Sequence, residues 1–149
     1  MKIELYTDDL TDDLFELLLE ADPDMGAIRR YLVASTILVA LEEGVVVGIA
    51  VLAYLSNRFE LKNIAVRQCH QGQGIAKRLI AAIKSQAKGL GGKKIYVGTG
   101  NSSLSQLALY QKCGFRMDYI EKNYFFAYPE EIYENGMRCL DRVVLCAEL

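Results

Sequence analysis

The residues of this chain best suited to chemistry form a glycine-rich segment, Gln71-Gly72-Gln73-Gly74-Ile75-Ala76. An apolar, β-rich run over 59–66 precedes this segment, and a helical pattern over about 74–90 follows it. The first N–H groups of a helix have no partner within the helix, and the helix dipole places partial positive charge at the same end. The sequence therefore predicts a turn that binds a phosphate group.

The charge distribution favours a ligand with several negative charges. The net charge is only −2, but residues 1–24 hold nine acids against one base, and residues 61–117 hold ten bases and no acid. Any single base in this stretch is as well explained by a solvated helix face. A cationic segment of this length around the glycine-rich turn is more typical of a polyanion-binding site.

Two familiar phosphate-binding motifs do not fit the turn. The dinucleotide motif GxGxxG would need a third glycine where the chain has Lys77, and no acid follows about 20 residues later. The P-loop pattern GxxxxGK[ST] is absent. Taken alone, the two glycines leave a purely structural turn as an open alternative.

The elements that must position this turn suggest a mixed sheet with helices on both faces. Hydrophobic periodicity and turn residues predict the order β-α-α-β-β-β-α-β-α-β-β within a single domain over 1–149. The predicted strands cover 2–6, 36–41, 45–54, 59–66, 94–99, 115–126 and 137–145. The predicted helices cover 8–20, 25–33, 74–90 and 104–112.

Three motifs in order resemble those of the GNAT superfamily, the acetyl-CoA-dependent N-acetyltransferases. Gln71-x-x-Gly74-x-Ala76 looks like the pyrophosphate loop [RQ]-x-x-G-x-[GA] of that family. The preceding Asn63-Ile64-Ala65-Val66 resembles its fourth strand, and Leu109–Phe115 resembles its LYxKxGF signature. Family members often carry an asparagine seven residues before the signature tyrosine, where this chain has Ser103.

The resemblance implies an α/β fold with a mostly antiparallel sheet of about seven strands, and acetyl-CoA as co-substrate. The pantetheine arm would pair with the strand Ile64, Ala65 and Val66, as an added strand does. The pyrophosphate would lie on the N–H groups of the turn and the helix start. The residues of this cradle are Gln71, Gly72, Gln73, Gly74, Ile75, Ala76 and Lys77, and Ser103 would lie near the cofactor.

Two residues are predicted to catalyse the transfer. Tyr110 matches the signature tyrosine and resembles a general acid for the departing thiolate. Glu60 lies six residues before Val66, where some GNAT enzymes carry a general base. A base, acting directly or through water, is useful because a free amine is mostly protonated at neutral pH. Alternatively, Tyr110 is a tyrosine at the edge of the core and Glu60 is an exposed carboxylate at the end of a strand. Asn63 and Tyr124 are weaker site candidates.

The acceptor is expected to bind near the first two helices and the last hairpin, as is usual in this fold. These segments supply acids and aromatic rings, which suit a cationic amine such as a polyamine, an aminoglycoside or a lysine-like metabolite. The residues are Asp22, Asp24, Glu130, Glu131, Glu134, Tyr124, Phe125, Phe126 and Tyr128. The acids could instead serve only solubility. Two other functions stay open: a protein lysine or N-terminal acetyltransferase, and a non-catalytic acyl-CoA sensor or interaction domain.

Other classes of protein are disfavoured by what the sequence lacks. The four cysteines form no CxxC pair and His70 has no partner for a metal site, so no metal is expected. No apolar run approaches the roughly 18–20 residues of a membrane span, and no signal peptide is recognised at Met1. A cytoplasmic enzyme without a nucleic-acid or membrane partner is expected, with homodimerisation through the last strands as a possibility.

Overall fold

The computed structural model describes residues 1–149, in which two β-sheets and four helices account for most of the chain. The strands are β1 (Lys2–Leu5), β2 (Ser35–Glu42), β3 (Val45–Leu55), β4 (Arg58–Val66), β5 (Lys94–Gly100), β6 (Arg116–Glu121), β7 (Tyr133–Glu134), β8 (Met137–Arg138) and β9 (Arg142–Glu148). The helices are α1 (Asp12–Ala21), α2 (Met25–Leu32), α3 (Ile75–Gly89) and α4 (Leu104–Lys112).

The seven-stranded main sheet contains one parallel pair, and this pair creates an opening. The strand order is β1-β2-β3-β4-β5-β9-β6, and every pair except β4 with β5 is antiparallel. Strands β4 and β5 pair only from Phe59–Leu61 to Ile95–Val97. Beyond Leu61, the rest of β4 pairs with β3 on one side only. The other side therefore presents unpaired backbone groups, as an edge strand does.

The helices pack their apolar faces against both faces of the main sheet, as the periodicity predicts. Leu79, Ile80 and Ile83 of α3 lie in one core, on the same side of the sheet as α4. Leu18 of α1 and Ile28 of α2 lie in a second core on the opposite face. The prediction of helices on both faces is confirmed. None of the helices is long and apolar enough to cross a bilayer.

Helix α1 begins later than the sequence pattern predicts. The pattern predicts a start at residue 8, but the Thr11 side chain accepts a hydrogen bond from the Leu14 N–H at 3.3 Å and caps the helix. Because an N-cap residue itself has extended backbone angles, the helix begins at Asp12. Helix α2 is capped in the same way, since Asp24 accepts from the Ala27 N–H at 3.1 Å.

The last two predicted strands are wrong in their bounds. Strand β6 ends at Glu121, because Asn123 adopts the left-handed conformation (φ 61°) and a 3₁₀ turn follows over Tyr124–Ala127. The strand predicted over 137–145 is divided between β8 and β9. Between them, the side-chain Oδ1 of Asn101 accepts from the N–H groups of Leu140 and Asp141 at 2.8 and 3.0 Å. These side-chain hydrogen bonds replace the ladder bonds of a continuous strand.

Candidate functional site

A groove of about 520 Å³ runs along the unpaired side of β4 to the start of α3. Its walls come from β4, the glycine-rich turn, the first turn of α3 and one side of α4. The predicted cofactor residues in the lining are Ile64, Ala65, Val66, Gln71, Gly72, Gly74, Ile75, Ala76 and Lys77. Gln73 lies in the same turn but does not line the groove, and Ser103 lines a neighbouring cavity.

The backbone of the turn explains its glycines. Gly72 and Gly74 have φ values of +79° and +81°, a region that favours glycine because it has no Cβ. Gln71 fixes the turn to the sheet, since its side-chain Nε2 donates to the Val66 carbonyl oxygen at 3.0 Å. Gly74 is the N-cap of α3, and no side chain caps this helix and no acid lies in its first turn. The first N–H groups of α3 are therefore available to an anionic ligand.

The cations near the turn have different roles. Lys77 lines the groove, whereas Arg78 does not. Arg67 does not line the groove either. Its Nε donates to the Val46 carbonyl oxygen at 2.7 Å, and its guanidinium pairs with Asp13. Of these three bases, Lys77 alone is placed to meet a phosphate in the groove.

A second cavity, of about 560 Å³, adjoins the groove where β4 and β5 separate. Glu20, Ala21, Ile64 and Gln106 line both spaces. The second cavity also reaches Tyr110 of α4 and the segment between β6 and β9. We call it the acceptor cavity, because a molecule in it would meet the end of a long ligand in the groove.

Tyr110 lies in the wall of the acceptor cavity with its ring in the core. Its exposed fraction is 5%, and the ring packs edge-on against Phe115 with centroids 6.0 Å apart. Burial raises the pKa of the phenol well above its usual value, and Cys113 contributes in the same direction. The hydroxyl therefore keeps its proton at neutral pH and is a possible proton donor.

Glu60 is surrounded by three cations. Its Oε2 lies 2.8 Å from Lys62 Nζ and 2.8 Å from a guanidinium nitrogen of Arg142, and its Oε1 lies 3.2 Å from Arg58. Burial would raise the pKa of this carboxyl, but the hydrogen bond and charge of Lys62, the charge of Arg142 and the hydrogen bond of Arg58 lower it below the usual value. Glu60 is ionised at neutral pH and lines neither the groove nor the acceptor cavity.

Arg142 is a residue of the site that sequence reasoning missed. It lines the acceptor cavity and also donates to Glu121 Oε1 at 2.5 Å. Its guanidinium lies against Gly98 of β5, where an added Cβ would stand 2.1 Å from Arg142 Cζ. Glycine at 98 therefore makes room for the arginine. No sequence signal links Arg142 to Glu60, because 82 residues separate them.

Six of the residues predicted for the acceptor line the acceptor cavity: Asp22, Tyr124, Phe125, Tyr128, Glu131 and Glu134. The other three, Asp24, Glu130 and Phe126, do not. Asp24 instead caps α2, as described above. The weaker candidate Asn63 lines the cavity, and Ser103 does so while donating to Glu134 Oε1 at 2.9 Å.

Comparison with known proteins adds to this geometry. The model of the acetyltransferase (GNAT) family matches residues 3–115. YvbK of Bacillus subtilis, named as an uncharacterized N-acetyltransferase, is 40% identical over 151 residues, which cover 100% of this chain and 97% of that protein.

Two crystal structures are similar over nearly the whole chain. One is a GNAT family acetyltransferase from Elizabethkingia anophelis with acetyl-CoA bound, with 41% identity, a TM-score of 0.93, and coverage of 99% of this chain and 97% of that chain. The other is a Bacillus subtilis acetyltransferase in complex with CoA, with 40% identity, a TM-score of 0.94, and coverage of 99% and 98%. The fold expected from the sequence is confirmed by these similarities.

Proposed function

Because this chain belongs to the acetyltransferase (GNAT) family and is an acetyl-CoA-dependent N-acetyltransferase, we propose that it acetylates a primary amine of a small cationic molecule. The observation that carries this proposal is the junction of the groove with the acceptor cavity, beside Tyr110. The family membership favours an enzyme over a non-catalytic sensor.

The groove fits acetyl-CoA, which supplies the activated acetyl thioester. The uncapped start of α3 and the two left-handed glycines leave N–H groups and open space for a pyrophosphate. Lys77 adds a positive charge at the same place. We assign the backbone groups of Ile64 and the Val66 N–H, on the unpaired side of β4, to the pantetheine amides, which would pair as an added strand does. The Val66 carbonyl oxygen already accepts from Gln71.

Two proton transfers accompany the attack of a neutral amine on a thioester. We assign the Tyr110 hydroxyl as the donor to the departing thiolate, because the phenol is protonated and lines the cavity. Glu60 remains the candidate base of the sequence prediction. Since its carboxylate lies behind Lys62 and Arg142 and has a lowered pKa, it would take the proton through water and would be a weak base.

The acceptor cavity suits a small molecule by its size and a cation by its chemistry. Its volume of about 560 Å³ falls within the range of small-ligand pockets. Acids and tyrosines line it, and both attract ammonium groups. The alternative, a protein acetyltransferase, would act on a lysine side chain or an N-terminus entering the same cavity.

A screen of acceptors tests the proposal. The protein is incubated with acetyl-CoA and with polyamines, aminoglycosides, lysine-like amines, neutral amines, acidic amines and peptides, and release of CoA is measured. Acetylation of the cationic small molecules is expected. Reaction with neutral or acidic amines alone would refute the cationic acceptor, and reaction with peptides alone would favour the protein acetyltransferase. A cytoplasmic location and a homodimer stay predictions from the sequence.

Substitution of Gly74 is expected to weaken acetyl-CoA binding. A Cβ in the left-handed region costs about 1–2 kcal/mol, so Gly74→Ala should displace the turn and raise the Kd for acetyl-CoA about tenfold. Isothermal titration calorimetry measures the change. Gly89→Ala is the matched control, because Gly89 ends the same helix outside the groove and its added Cβ would meet no atom within 4 Å. Equal affinities of the two variants would contradict the role of the turn.

A further inference from the structure

The acceptor cavity contains a carboxylate that the catalytic assignment does not use, Asp22 at the junction of α1 and α2. We propose that Asp22, with the ring of Tyr128, forms the subsite that binds an ammonium group of the acceptor. This inference rests on the proposed acetylation of a cationic amine and names the residue that selects it.

Asp22 is held in a fixed orientation by its neighbours. Its Oδ1 accepts from the Asp24 N–H at 3.1 Å, and its Oδ2 accepts from the Tyr31 hydroxyl at 3.3 Å. The Tyr31 hydroxyl in turn accepts from Asn63 Nδ2 at 3.0 Å, and Asn63 belongs to β4. A chain of hydrogen bonds therefore links Asp22 to β4 of the main sheet.

The charges of the cavity leave Asp22 without a counter-ion. The two bases in the lining, Lys62 and Arg142, are both paired with Glu60, and Arg142 is also paired with Glu121. Glu131 pairs with Arg138 at 3.5 Å. No lysine or arginine lies within 4.0 Å of the Asp22 carboxylate. The charge of Lys62 acts on Asp22 without forming an ion pair, so a cation from outside can supply the direct partner.

Two further observations point to a ligand at this place. Asn63 is 4% exposed and lines the cavity, and its Oδ1 has no hydrogen-bond partner in the protein. An unpartnered buried acceptor is costly unless a donor is supplied. Burial also raises the pKa of Asp22, and the hydrogen bonds from Asp24 and Tyr31 and the charge of Lys62 offset only part of this rise. An ammonium group has the donors and the charge that these oxygens need.

The test measures cation binding apart from turnover. Spermidine is titrated calorimetrically into the protein loaded with CoA, in which no acetyl group can be transferred. Asp22→Asn keeps the size of the side chain and an oxygen for the Asp24 N–H, so the loop is expected to fold. The Kd for spermidine is expected to rise about 10- to 100-fold, because one charge-assisted contact is lost.

Two variants accompany this test. Glu16→Gln removes the same charge from an exposed position of α1 outside both spaces and is expected to leave the Kd unchanged. Tyr128→Leu removes one ring and is expected to raise the Kd about two- to fivefold. Equal spermidine binding by Asp22→Asn and the wild type, or no binding by the wild type, would overturn the proposal. Spermidine binding that needs Asp22, without acetylation of any amine, would refute the proposed function and leave this subsite standing.

Discussion

Replacing Tyr110 with phenylalanine is expected to lower the kcat of acetyl transfer by about 10²- to 10⁴-fold, the usual contribution of a positioned general acid. The affinity for acetyl-CoA should change little, because the ring stays packed against Phe115 and does not line the groove. Burial and Cys113 raise the pKa of the Tyr110 hydroxyl, and no hydrogen-bonded side chain contributes to this shift. Removal of the hydroxyl therefore leaves no side-chain partner unsatisfied. Steady-state kinetics with the best acceptor of the screen, together with acetyl-CoA titration, measures both effects.

The control for this variant is Tyr54→Phe, which removes a hydroxyl from a half-exposed residue of β3 outside the site. Its kcat should equal that of the wild type. If Tyr110→Phe turned over at the same rate as this control, Tyr110 would not be the acid. A loss of acetyl-CoA affinity in Tyr110→Phe would instead indicate that the phenol holds the co-substrate.

The elements that the sequence predicts best are those with clear local end signals. Helix α4 has its predicted bounds, and Gly114 in the left-handed conformation follows its end at Cys113. Ser103 precedes the helix, but its side chain donates to Glu134 and does not cap it. The strand predicted over 115–126 is longer than β6, because the end of β6 depends on the left-handed backbone of Asn123. The division between β8 and β9 depends on Asn101, which is about 40 residues away in the chain. The alternation of hydrophobic residues along a strand does not depend on such a distant hydrogen bond, so it cannot predict this division.

The same distinction holds for the site. The glycine-rich turn was found because its residues are contiguous, and nine of the predicted cofactor residues line the groove. The ion pair of Glu60 with Arg142 could not be found, since Arg142 comes from another strand and meets Glu60 only when the sheet forms. Arg58 and Lys62, each two residues from Glu60 on β4, lie near enough in sequence to suggest a pair. The lowered pKa of Glu60 therefore depends on two neighbours in sequence and on one residue that only the fold brings to it.

Replacing Glu60 with glutamine is expected to destabilise the fold by about 2–3 kcal/mol at neutral pH, because Arg142 and Lys62 lose a buried counter-ion. Glu121 still pairs with Arg142, which keeps the loss below that of an isolated buried charge. Urea unfolding measures it. The matched control is Glu148→Gln, since the exposed Glu148 lies 4.0 Å from Lys94 and should contribute less than about 1 kcal/mol.

The pH dependence of the stability lost in Glu60→Gln distinguishes an effect of the Glu60 charge from an effect of packing. The folded-state pKa of Glu60 is lowered from 4.5, so the unfolded chain binds its proton first as the pH falls. The stabilisation by the Glu60 carboxylate is therefore complete above its unfolded pKa and disappears as the pH falls through its folded pKa. The difference in unfolding free energy between the wild type and Glu60→Gln should shrink in acid over that interval. A difference that stayed constant with pH would mean that packing, and not the charge of Glu60, stabilises this end of the sheet.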